Sequence, residues 1–260
     1  MRALTAVALA LMFVGCAVAA PVHFPSRSDP VTLSGTLFRP EGDGPFPALV
    51  LLHTCAGVQL HVLEWAEWLK AQGYVALVVD SFSPRGVASV CGTGEVPVYA
   101  VARDAYSALV YLRSLPFVDA DRIGLAGWSY GAMAALLGVR EAFVKATAPK
   151  VSTFRAVIAF YPACEYFGPD TTLPVLLLLG DADTWTPPTV CVQVASRLQE
   201  RGQTALAVVY PGAHHAFDRS DLGGRTVSVL GHTLRYDPAA TADARSRVRS
   251  FLSEHLSRRR

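Results

Sequence analysis

Charge is scarce in this sequence. Of its 260 residues 17% are Asp, Glu, Lys or Arg, and the signs nearly cancel, leaving a formal charge of +2. That balance excludes the basic footprint of a nucleic-acid binder and gives no sign of an acidic partner. Phosphate loops are missing: neither Gly-x-Gly-x-x-Gly nor Gly-x-x-x-x-Gly-Lys occurs. Metal-ligand spacing is missing too. The cysteines form no Cys-x-x-Cys pair, and the adjacent His214-His215 cannot readily share one ion. No metal and no cofactor is therefore expected. After Ala20 no apolar run is long enough, and free enough of polar residues, to cross a bilayer. Internal repeats and low-complexity stretches are also absent. Nothing in the sequence points to an oligomeric state.

The first apolar run has a different reading. Arg2 gives a positive start, Ala3 to Val14 an apolar stretch, and Ala17-Val18-Ala19-Ala20 small residues for cleavage. Residues 1–20 are expected to be a signal peptide, cut after Ala19 in preference to Ala20, which precedes Pro21. Val14-Gly15-Cys16 partly matches a lipoprotein box, so a lipid anchor at Cys16 is the rival reading. Without the leader, Cys55, Cys91, Cys164 and Cys191 remain. An even count in an exported chain suits disulfides. Cys55–Cys91 and Cys164–Cys191 are the preferred pairs, because each pair follows strands expected to be neighbours. The terminal Arg258-Arg259-Arg260 reads as a solvated tail.

The rest is apolar enough to fold, with 52% hydrophobic residues. Residues 21–260 are read as one domain. Continuous apolar runs predict buried strands at Ala48–Leu52, Tyr74–Val79, Arg122–Ala126, Phe154–Tyr161, Leu173–Leu179 and Ala205–Tyr210. Val31–Phe38 alternates and predicts an exposed strand. Helical periodicity predicts Leu60–Ala71, Val98–Leu115, Thr189–Arg201 and a final helix after Pro238. Strands alternating with helices predict an α/β fold, a mostly parallel sheet covered on both faces. About a dozen residues separate Tyr161 from Leu173. That leaves no room for a lid domain.

The densest chemistry lies at Gly127-Trp128-Ser129-Tyr130-Gly131, between an apolar strand and Ala132–Leu137. Gly-x-Ser-x-Gly in that setting resembles the nucleophile elbow of α/β-hydrolases. A serine on so sharp a turn needs neighbours without bulk. A base and an acid should follow in the order Ser, Asp, His, at strand C-terminal ends on the same sheet edge. Gly180-Asp181-Ala182-Asp183 and His214-His215 stand there. Asp183 is preferred as the acid because it lies beyond the turn; Asp181 and Glu165 are the alternatives. His215 is preferred over His214 as the base. The backbone N–H groups of Tyr130 and Cys55 are the expected oxyanion donors. His53 reads as a hydrogen-bonded structural histidine. His61, His232 and His255 read as surface residues.

With Trp65-Ala66, Gly73-Tyr74, Asp80-Ser81-Phe82-Ser83-Pro84-Arg85-Gly86 and Gly212-Ala213-His214-His215-Ala216-Phe217 added, the chain resembles the dienelactone hydrolase family over nearly its whole mature length. The resemblance implies a Ser129–Asp183–His215 triad and cofactor-free hydrolysis of a small ester or lactone. It also places Arg85 and Arg219 near the site, as grips for a substrate carboxylate. The named dienelactone enzymes carry cysteine at the position of Ser129. Their glutamate near the nucleophile has no clear counterpart around His53–Cys55. A peptidase or acyltransferase on the same triad, and a binding module with a relic triad, are the competing readings.

Overall fold

The computed structural model describes residues 19–147, 153–166 and 170–257. The expected leader, with Cys16 in it, lies almost wholly outside these residues. Eight strands share one sheet: β1 (Ala20–Pro25), β2 (Thr32–Phe38), β3 (Phe46–Leu52), β4 (Val75–Asp80), β5 (Val118–Trp128), β6 (Val157–Phe160), β7 (Val175–Gly180) and β8 (Ala205–Tyr210). Their order is β1-β2-β4-β3-β5-β6-β7-β8. The pairings of β1 with β2 and β2 with β4 are antiparallel, and all the rest are parallel. The helices are α1 (Leu60–Ala71), α2 (Val98–Arg113), α3 (Tyr130–Gly138), α4 (Glu141–Thr147), α5 (Thr189–Glu200) and α6 (Pro238–His255). A separate hairpin joins β9 (Thr226–Val229) to β10 (His232–Arg235).

The apolar runs are continuous because both faces of the sheet are covered. In β3, Ala48, Val50 and Leu52 point into one core, while Leu49 and Leu51 point into the other. In β7, Val175, Leu177 and Leu179 divide from Leu176 and Leu178 in the same way. Helices α2, α3 and α5 cover the first face, and α1 and α6 the second. Each such side chain contributes about 1.5–3 kcal/mol by leaving water, so a polar residue at any of them would be hard to accommodate. Asp237 caps α6 by accepting from the backbone N–H groups of Ala239 and Ala240, and Pro238 occupies the first turn.

Both expected crosslinks are present. Cys55, in the loop after β3, joins Cys91, and Cys164, in the turn after β6, joins Cys191 of α5. They close segments of 36 and 27 residues. Loops of this size stabilise by about 3–4 kcal/mol each when their closure entropy is removed from the unfolded chain. Full reduction is expected to lower Tm by roughly ten degrees or more. A scan with and without thiol, with the free thiols counted, checks it; an unchanged Tm after complete reduction would refute the stabilising role.

Candidate active site

Strand β5 ends at Trp128, and α3 begins at Tyr130. Ser129 between them has φ 51° and ψ −111°, a strained conformation for a residue with a side chain. Its N–H donates to the carbonyl of Phe160 at 2.9 Å, which pins the turn to β6. The flanking glycines are forced by close approach. A Cβ on Gly127 would overlap the carbonyl of Gly131, and one on Gly131 would overlap the carbonyls of Leu52 and His53.

Three strand ends bring the candidate residues together. His215, after β8, has Nε2 at 3.0 Å from Ser129 Oγ and Nδ1 at 2.7 Å from Asp183 Oδ2. Asp183 follows β7. Its Oδ1 accepts from the N–H groups of Trp185 and Thr186 at 2.8 and 2.9 Å, and the Thr186 hydroxyl lies 2.9 Å from Oδ2. Burial pushes the Asp183 carboxyl up, but hydrogen bonds from His215 and Thr186 and the charge of His215 outweigh it and bring the group below its usual range. All three side chains are buried. The imidazole of His215 is clamped between Tyr161 at 4.7 Å and Trp185 at 5.0 Å.

The alternatives are placed elsewhere. Asp181 accepts from the N–H of Gly212, which ties the acid loop to the histidine loop. His214 Nδ1 meets the carbonyl of Ala182 at 3.1 Å. His53 is buried and bonded on both ring nitrogens, to the Thr54 carbonyl and the Ser81 N–H. No described residue accepts a hydrogen bond from the backbone N–H of Tyr130 or of Cys55. Both residues are half-buried, and Cys55 lines the same cavity as Ser129.

A cavity of about 70 Å³ opens over Ser129. Its lining includes His215, Cys55, Trp185, Arg219 and His61, with Val229 and Leu234 from the hairpin. Arg219 lines the cavity, and its Nε and Nη2 are bonded to Asp221. Arg85 is not among the lining residues. Its guanidinium bonds Asp104, Asp29 and the carbonyl of Ser81, so it braces its own loop against α2. Asp104 draws it inward: a carboxyl with no exposed surface needs a paired cation.

Two features escaped the sequence reading. Asp218 is buried and accepts from Trp65 Nε1, Trp128 Nε1 and the Tyr161 hydroxyl at 2.8, 2.7 and 2.7 Å. It joins α1, the elbow and the wall of His215. No sequence signal marks it, because its partners lie 153, 90 and 57 positions away. His61, expected on the surface, is wholly buried. The available signal was helical spacing: His61, Trp65 and Leu69 recur every four residues along α1, and Trp65 and Leu69 are core. His232 is also not a free surface residue, since it stacks on Trp185 at 5.2 Å.

The dienelactone hydrolase family profile matches residues 33–256. The chain belongs to the dienelactone hydrolase family. Membership places it among hydrolases of esters and lactones. A Bradyrhizobium protein described as "Probable 2-oxo-3-(5-oxofuran-2-ylidene)propanoate lactonase" is 26% identical over 201 residues, covering 70% of this chain and 77% of the relative. Among solved structures, dienelactone hydrolase from Anabaena variabilis superposes with a TM-score of 0.70 at 18% identity, covering 92% of this chain and 99% of that one. A thermophilic esterase from Thermogutta terrifontis gives 0.65 at 18% identity, covering 91% and 92%. The family's α/β-hydrolase fold is the fold seen here.

Proposed function

We propose that this dienelactone hydrolase family member is an exported serine hydrolase of short carboxylic esters or lactones, acting through an acyl-enzyme. The observation that carries the reading is His215 standing between Ser129 and Asp183 at 3.0 and 2.7 Å. Ser129 Oγ attacks the ester carbonyl while His215 Nε2 takes its proton. Asp183 holds the imidazole in the tautomer with N–H at Nδ1 and stabilises the imidazolium. The carbonyl oxygen becomes an anion, received by the free N–H groups of Tyr130 and Cys55. Collapse expels the alcohol, which takes the proton from His215. Water, deprotonated by the same histidine, then releases the acid.

The small cavity over Ser129, about 70 Å³, supports a short acyl group. Arg219 can offer the substrate its Nη1 edge, because Asp221 is bonded to the other two nitrogens. Two crosslinks support an oxidising compartment, in keeping with the expected leader. The test is labelling with a fluorophosphonate, followed by p-nitrophenyl esters of rising acyl length. Labelling at Ser129 alone is expected, with kcat/KM greatest for acyl chains of about two to four carbons and falling beyond them, as the cavity fills. An unlabelled protein that turns over none of these esters would overturn the reading.

A further inference from the structure

His61 is the one side chain at the cavity that the proposed reaction leaves unused and the fold leaves unsatisfied. It sits in the first turn of α1 with no exposed surface. Neither Nδ1 nor Nε2 meets a hydrogen-bonding partner among the described residues. Yet the residue lines the same cavity as Ser129 and His215. Its ring stands nearly perpendicular to Trp128, at 6.3 Å, immediately before the nucleophile. A buried polar atom without a partner is destabilising. A leucine could fill this place at no such cost. The penalty is offset when a group in the cavity bonds the ring.

We propose that His61 binds substrate: its imidazole hydrogen-bonds an uncharged oxygen substituent, a hydroxyl or a carbonyl, adjoining the ester that Ser129 attacks. The inference rests on the esterase reading above. The chemistry of the ring selects the ligand. Burial holds His61 below its ordinary value of 6.5; the Arg219 charge pushes the same way, against Asp218, Asp221 and Glu64. At neutral pH the ring is uncharged, with one N–H donor and one lone-pair acceptor. A hydroxyl matches both, and a carbonyl matches the donor. A carboxylate gains no charge from this ring. Arg219, the cation at the cavity, with its Nη1 edge not bonded to Asp221, is the group suited to a carboxylate. Val229 and Leu234 offer only apolar surface, so they do not compete for the same oxygen.

Two pairs of near-isosteric esters test this. One differs on the acyl side, p-nitrophenyl 3-methylbutyrate against p-nitrophenyl 3-hydroxybutyrate. The other differs on the alcohol side, propyl butyrate against 2-hydroxyethyl butyrate. The native enzyme is expected to prefer the hydroxylated member of at least one pair by about tenfold in kcat/KM, the worth of one good hydrogen bond. His61→Leu should bring that ratio to within about twofold while keeping the plain ester within about threefold of the native rate. His61→Gln, which retains a donor and an acceptor, should keep part of the preference. Equal loss on both members of each pair would make His61 structural and overturn the proposal. So would a native enzyme without preference in either pair, a measurement that needs no variant to fold. Fluorophosphonate labelling, run alongside, separates the two readings. If Ser129 labels and plain esters turn over, a missing preference condemns the His61 proposal alone. If neither occurs, the esterase reading falls and takes this one with it.

Discussion

Replacing Ser129 by alanine is expected to lower kcat/KM for p-nitrophenyl butyrate by about four to six orders of magnitude. Triad members act as a unit, and removing the nucleophile leaves only what binding and the oxyanion donors supply. The fold should survive. Ser129 sits at φ 51°, but the strain is borne by the backbone, and alanine meets the same strain. Far-ultraviolet circular dichroism and Tm should therefore be close to native. Asp183→Asn is expected to cost about four orders of magnitude, because an amide beside Nδ1 favours the wrong imidazole tautomer. Asp181→Asn should cost less than tenfold, since Asp181 bonds the N–H of Gly212 and not the ring. Steady-state kinetics on the three variants decides it. More than a tenth of native kcat/KM in Ser129→Ala would sink the nucleophile, and the reverse ranking of the aspartates would reassign the acid.

Among single substitutions, Asp218→Ala is expected to have a large effect on stability. Its carboxylate oxygens accept three bonds, from two indoles and a phenol, with almost no exposed surface. Hydrogen bonds to a charged group contribute about 1.5–3 kcal/mol each, and the substitution leaves three buried donors unpaired in a cavity. A loss of about 4 kcal/mol or more follows, equivalent to a fall in Tm of roughly 8–16 °C for a chain of this size. Activity should fall as well, by about tenfold or more. Trp128 precedes the nucleophile, and Tyr161 packs on His215 at 4.7 Å, so a slack hub lets both ends of the Ser–His bond move. Asp218→Asn keeps the shape and one acceptor oxygen, and should fall between. Calorimetry and kcat on both variants check it: a Tm within three degrees of native in Asp218→Ala would show that the three donors find other partners.

Much of this architecture was legible in the residues. Helix α1 and strand β8 lie where periodicity and apolar run place them, at Leu60–Ala71 and Ala205–Tyr210. Continuous apolar strands meant a sheet covered on both faces, which is how β3 and β7 divide between the two cores. What was missed shares a physical cause. Helix α4 has no buried residue, so it carries no stripe to detect. Strand β1 adjoins the expected leader and buries one side chain, Phe24. The β9–β10 hairpin strands have four residues each, too short for a period to show. At the site, residues in strand-end loops were readable because the order Ser, Asp, His and the sheet edge constrain them. Arg85 and Asp218 were not, since each is placed by partners remote in the chain. The bond from Arg85 to Asp104 and the three donors to Asp218 are tertiary facts with no local pattern.

The β9–β10 hairpin also behaves as a detachable fitting. Its strands pair with each other, and it is attached to the site by the bridge of Leu234 to His215 and by His232, which stacks on Trp185. Val229 and Leu234 nevertheless form part of the cavity wall. Part of the cavity wall is thus carried by a hairpin outside the main sheet. Hairpins of other sequence, spliced between Gly224 and Tyr236 with the Leu234 bridge retained, would reshape the wall while the eight-stranded scaffold and its three strand ends stay in place. A library confined to those residues, with Leu234 and His232 kept for their packing, tests how far this wall sets the acyl range.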